Sequence, residues 1–190
     1  MTFDTNFVTS FNNAMKYEVG SDWNPNDPDT ISGNVNTPHK CGYTNTAGDA
    51  GGLTKFGIAL SENPSVDVAN LDLNSAMQIY YTHYWLAGSC DKMASPLCIF
   101  HFDTCVNNGV PRAGKILQQA VGANPIDGLV GPATLALVTP QDPATLINTL
   151  STIRIARYHT IVETTPSDAQ FLNGWLRRVN EVTAFSLSQI

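Results

Sequence analysis

Basic residues are scarce in this chain. Its 190 residues hold ten lysines and arginines against sixteen acidic residues, a net charge of -6, and no lysine/arginine cluster. Phosphate recognition needs grouped cations, so nucleic acid is not expected as a partner, and the same acidity speaks against attachment to anionic lipid. Long apolar runs are absent too. No stretch approaches the ~20 consecutive apolar residues of a bilayer span, so no membrane insertion is expected. The N-terminal MTFDTNFVTSF has no basic region ahead of its apolar residues, which reads as a chain without a classical secretion signal.

Cysteine is limited to Cys41, Cys90, Cys98 and Cys105. A chain made without a signal is expected to keep them reduced as buried apolar thiols, with a Cys90–Cys98 bridge as the alternative. Cys98 and Cys105 lie two helical turns apart, too far to pair. No metal or other cofactor is expected. His39 and Cys41 have no partner at zinc spacing, and His83, His101 and His159 are not spaced as ligands. The acids from Asp22 onward lack the glycine and glutamate that a calcium loop requires. Repeats and charge blocks are missing as well, and the chain reads as a globular monomer of one domain, with a length that also suits two lobes.

The stretch GDAGGLTKFGIAL, residues 48 to 60, carries the clearest local signal. It sets Asp49 beside Gly51 and Gly52, which permit close backbone approach, and then places Thr54 on a short alternating segment ending at Gly57-Ile58. A second carboxylate precedes it. Asp4 or Thr5 can cap a helix with Phe7, Val8, Phe11, Ala14 and Met15 on one stripe; Glu18 falls on that stripe just before Gly20 stops the helix. Apolar neighbours and the negative end of the helix dipole both favour the protonated carboxyl, the form a general acid needs.

Residues 21 to 47 read as a long loop, in which Trp23 and Tyr43 can either stack on a ligand or anchor the loop. Beyond residue 70 the pattern is helical. Asp72 or Asn70 caps a helix with Ala76 and Tyr80, and a segment from Pro96 carries Asp103 and Asn107 four apart, a pair that either touches a ligand together or serves capping and internal hydrogen bonding. Further stripes follow through Ile116, Val121 and the Asp127-Gly128 turn, and two longer helices finish the chain. The fold class expected is mainly α, with one small β element near residues 43 to 60.

With KYEVG around Glu18, DAGGLTKFGI, YYTHYW, FDTCVNNG, LQQAVG, DGLVGP and FLNGWLRRV in that order, the chain resembles glycoside hydrolase family 108. That family comprises N-acetylmuramidases of phage and bacterial origin, similar in fold to lysozymes. The resemblance implies a catalytic region over residues 1–109, with a small β-hairpin lining its cleft. It also implies a helical peptidoglycan-binding-like region over 110–190, packed on the first as one compact unit. It implies Glu18 as acid, Asp49 as base or electrostatic stabiliser, and Thr54 as holder of the attacking water, the set used for hydrolysis with inversion. Tyr43, Gly51, Gly52, Asp103 and Asn107 are the implied substrate contacts, with glycan strands of peptidoglycan as partner. The family's E-G-G-Y motif reads Glu18-Val19-Gly20-Ser21 here, so Tyr43 is expected to supply the missing aromatic. A lytic transglycosylase and an inactive wall-binding or virion protein are the alternatives. The expected setting is a bacteriolytic endolysin or effector that reaches the wall through a holin or by export.

Overall fold

A computed structural model describes residues 2–21, 23–28, 41–45 and 52–190. It is mainly helical with one small antiparallel hairpin, as the periodicity and the residue 43 to 60 segment imply. By density of contacts the chain falls into two units, Phe11–Tyr81 and a second made of Met1–Ser10 with Thr82–Ile190.

The smaller unit is built on an aromatic cluster. Helix α1, Thr5–Glu18, is capped by Asp4, whose Oδ1 accepts the Phe7 N–H at 2.9 Å, and its second half contributes Phe11. Phe11 meets Trp23 and Tyr80 edge to face, with centroids 6.1 and 5.3 Å apart, and Trp23 meets Phe56 at 6.2 Å. Such pairs add to the area that aromatic rings already bury. Trp23 therefore anchors its segment to the core, its indole N–H donating to Asn12 Oδ1 at 3.3 Å. Strands β1, Thr54–Lys55, and β2, Ile58–Ala59, pair antiparallel with Thr54 opposite Ala59. Helix α2, Leu73–Tyr80, starts at Asp72, whose carboxylate accepts the Ser75 N–H at 2.7 Å.

The larger unit is wound around α3, Leu97–Asn108. A single buried stripe is the sequence expectation there. Instead every residue from Leu97 to Cys105 is buried, because α4 (Val110–Ala120), α6 (Pro143–Thr164) and α7 (Ala169–Leu187) sheathe it. A short α5, Pro132–Val138, follows the Asp127-Gly128 turn, which Gln118 holds through Asp127 Oδ1 at 2.8 Å and the Gly128 N–H at 2.7 Å. Thus α3, which the resemblance groups with the catalytic region, shares a unit with the helices beyond residue 110. All four cysteines are buried and free. The alternative Cys90–Cys98 bridge is not formed; Cys90 lies beside Cys105 and His101, since the short turn at Cys90–Lys92 folds back on α3.

Candidate active site

Glu18 is the last residue of α1 and is half-buried. What faces it is the hairpin turn. Phe56 and Gly57, the two central residues between β1 and β2, both have positive φ, 54° and 72°, the combination that suits a tight hairpin. A Cβ on Gly57 would stand 3.0 Å from Glu18 Cβ, 3.4 Å from Glu18 Oε2 and 2.8 Å from the Tyr80 hydroxyl. Glycine is required here by conformation and by space alike. Phenylalanine in the left-handed region is strained, and the strain is held by Phe56's complete burial and two hydrogen bonds. Its N–H donates to Cys41 O at 2.7 Å and its carbonyl accepts from the Tyr80 hydroxyl at 3.0 Å.

Thr54 lies two residues before the turn, half-buried on β1, with its hydroxyl donating to Gly52 O at 3.4 Å. Its backbone exchanges both hydrogen bonds with Thr44 at 2.9 Å, next to the half-buried Tyr43. Gly52 has φ 67° and open space where a side chain would be. Glu18, Tyr43, Gly52 and Thr54 thus share the smaller unit. Asp49 and Gly51 lie outside the described residues. Val19, at the position where the family motif has glycine, is buried with Gly42 against it.

Asp103 and Asn107 fall elsewhere. Both are on α3 in the larger unit, where Asp103 is 1 % exposed. Arg154 Nη1 donates to its Oδ2 at 2.7 Å and Arg178 Nε to its Oδ1 at 2.9 Å. Asn107 Oδ1 accepts from Tyr158 at 2.6 Å, Arg154 at 3.1 Å and Asn108 at 3.0 Å. Of the two readings open for this pair, internal hydrogen bonding is the one these side chains display, with both Asp103 oxygens turned to guanidinium groups inside the protein. Burial pushes the Asp103 carboxyl up, but Arg154 and Arg178 outweigh it and hold the group below its ordinary value.

Residues 37–109 match Glycosyl hydrolase 108, and residues 112–180 match Predicted Peptidoglycan domain. The chain thus joins a stretch similar to glycosyl hydrolase 108 to one similar to a peptidoglycan domain, a pairing that supports a peptidoglycan hydrolase. A solved structure, SagA of Brucella abortus, is similar at 29% identity and a TM-score of 0.66, over 77% of this chain and 86% of that one. No curated protein matches the chain. The hydrolase match contains Asp49 and Thr54 and starts after Glu18, which stands beside Gly57.

The region that matches the peptidoglycan domain holds a feature that the sequence hardly announces. Between α4 and α6 lies a cavity of about 480 Å³, lined by Arg112, Lys115 and Arg157 together with Ile116, Ile126 and Ile153. Among the described residues none of the three cations has an ion-pair partner, and the buried Arg157 Nε has no hydrogen-bond acceptor there. Burial and the nearby Arg112 both push the Arg157 guanidinium down from its ordinary value. A pocket that crowds unpaired cations among methyl groups suits a carboxylate-bearing, partly apolar ligand. Arg112 and Lys115 are three apart on one helix, the only local signal of it; Arg157 reads in sequence as part of an apolar stripe.

Proposed function

We propose that this peptidoglycan hydrolase is a muramidase that cleaves the β-1,4 bond between N-acetylmuramic acid and N-acetylglucosamine with inversion. The observation that carries this reading is the placement of Glu18. It is a half-buried carboxyl at the end of α1, set against a strained hairpin turn where Gly57 leaves room for no side chain. Glu18 protonates the leaving glycosidic oxygen, Asp49 activates water or stabilises the oxocarbenium-like charge, and Thr54 holds that water. Tyr43 and the Gly51-Gly52 backbone contact the sugar. Residues 1–109 carry the chemistry and 110–190 the wall contact. The enzyme serves bacterial lysis, in the manner of an endolysin or effector, and reaches the wall through a holin or by export. No described helix is long and apolar enough to cross a membrane.

Mass spectrometry of the reducing ends released from purified peptidoglycan tests the bond. Reducing muramic acid ends are expected; glucosamine ends or anhydro-muramic ends would replace the reading with a glucosaminidase or a lytic transglycosylase. The Asp49→Asn variant is expected to lose on the order of a hundredfold in turnover, the lower range for a positioned acid or base. Full turnover in that variant would assign the base elsewhere.

The cationic pocket accounts for wall contact. The peptide stems of peptidoglycan combine free carboxylates with methyl side chains, matching the three cations and three isoleucines of the cavity. Arg112→Gln with Arg157→Gln is expected to weaken sedimentation with insoluble wall by roughly tenfold or more, since hydrogen bonds to charged groups contribute about 1.5 to 3 kcal/mol each. Turnover of a short soluble glycan is expected to stay unchanged. Undiminished wall binding in the double variant would move the contact to another surface.

A further inference from the structure

Cys90, His101 and Cys105 converge in the interior of the larger unit. Cys90 opens the short 3-10 turn Cys90–Lys92, and His101 and Cys105 lie four apart on one face of α3. One ligand atom from each lies within 4.8 Å of the others, and all three residues are buried. The backbone beside them is shaped to admit the sulfurs. A Cβ on Gly88 would stand 2.6 Å from Cys105 Sγ and 3.4 Å from Cys90 Sγ. The Gly88 carbonyl also lies 3.1 Å from His101 Nε2, the backbone bond that typically orients a histidine ligand. When Nε2 donates its proton to that carbonyl, Nδ1 keeps its lone pair.

We propose that Cys90, His101 and Cys105 hold a thiophilic divalent cation, zinc(II) by preference, which fastens the turn after Gly88 to α3. Tetrahedral zinc with bonds of about 2.0 to 2.3 Å keeps its ligand atoms roughly 3.5 to 4 Å apart, within the spread this cluster already has. Charge selects the valence. Cys90 and Cys105 each release a proton on binding, and two thiolates with a neutral imidazole cancel a 2+ ion, whereas a monovalent soft ion leaves a net negative charge in the core. Three protein ligands leave one position for a small donor such as water. Along the chain nothing announces the centre, because the ten residues between Cys90 and His101 do not fit a familiar zinc spacing.

The test uses the full chain purified without a metal-chelating tag. Elemental analysis is expected to find one zinc per chain, and removal by a chelator to lower the thermal midpoint reversibly. Cobalt(II) reloading is expected to give thiolate-to-cobalt charge transfer and tetrahedral visible bands. His101→Gln and Cys105→Ser are expected to weaken zinc binding by more than about tenfold, while Cys41→Ser leaves it unchanged. If the cluster variants do not fold, the cobalt spectrum of the unaltered protein still decides. Protein that takes up neither zinc nor cobalt overturns the proposal. So does an intact mass lower by two hydrogens with Cys90 and Cys105 joined, since the cluster is then a disulfide.

Discussion

Replacing Glu18 by glutamine is expected to lower hydrolysis of purified peptidoglycan by on the order of a thousandfold or more, with folding and wall binding unchanged. The magnitude follows from the usual contribution of a positioned general acid, roughly a hundredfold to ten-thousandfold, and from the poor leaving group that an unprotonated sugar oxygen makes. Glutamine is the informative choice because it keeps the volume of the side chain. The space beside Glu18 is bounded by the Gly57 turn and the Tyr80 hydroxyl, and an amide of the same shape occupies it without displacing the hairpin. Alanine there would open a gap between α1 and the turn and would mix a packing defect with the loss of chemistry. Circular dichroism and sedimentation with insoluble wall establish that the variant is folded and binds. Wild-type rates of reducing-end release from such a protein would remove Glu18 from the reaction.

The Asp103→Asn variant is expected to be destabilised by about 3 to 5 kcal/mol, the range for removing one member of a buried ion pair and leaving the other uncompensated. The case is stronger than for an ordinary pair. Arg154 is 0% exposed, Arg178 is 8% exposed, and both guanidinium groups turn to Asp103. For a chain of this length the thermal midpoint falls on the order of 10 °C. Acid gives a second readout with a defined sign. The carboxyl of Asp103 is held below its ordinary value in the folded protein, so its contribution is complete above the ordinary carboxylate range and is lost as pH falls through the lower folded-state value. The stability difference between wild type and Asp103→Asn should therefore be level at neutral pH and shrink in strong acid. A variant of unchanged stability but weakened glycan binding would instead return Asp103 to the ligand-contact role that its spacing from Asn107 suggests.

Much of the molecule was legible before any coordinates. The stripe Phe7, Phe11, Ala14 and Met15 announces α1, Asp4 or Thr5 and Asp72 or Asn70 announce caps, of which Asp4 and Asp72 serve, and residues 43 to 60 announce a small β element, although the turn falls at Phe56-Gly57 within the segment that reads as one strand. These are features set by local periodicity and by the chemistry of single residues, which the chain carries wherever it goes. Glu18 stands out for the same reason, as an acid on an otherwise apolar face.

Other features were misjudged or invisible. Asp103 reads in sequence as a polar residue on a helix, and nothing near it along the chain reveals the two arginines that enclose it from α6 and α7. For Trp23 the sequence leaves ligand stacking and anchoring equally open, and only its place among Phe11 and Phe56 in the core decides for anchoring. Arg112, Lys115 and Arg157 look like scattered charges in an acidic chain until α4 and α6 bring them around one cavity.

By itself, then, the amino-acid sequence determined the helices, their caps, the presence of a small β element and the carboxylate that ends α1, because each depends on interactions within a few residues. Tertiary structure alone decided the partners of Asp103, the cationic pocket and the meeting of Cys90, His101 and Cys105. Those depend on side chains that different elements bring together across roughly ten to several tens of residues, and charge and thiol chemistry reach only a few ångströms, so their meaning appears only once packing has removed the distance.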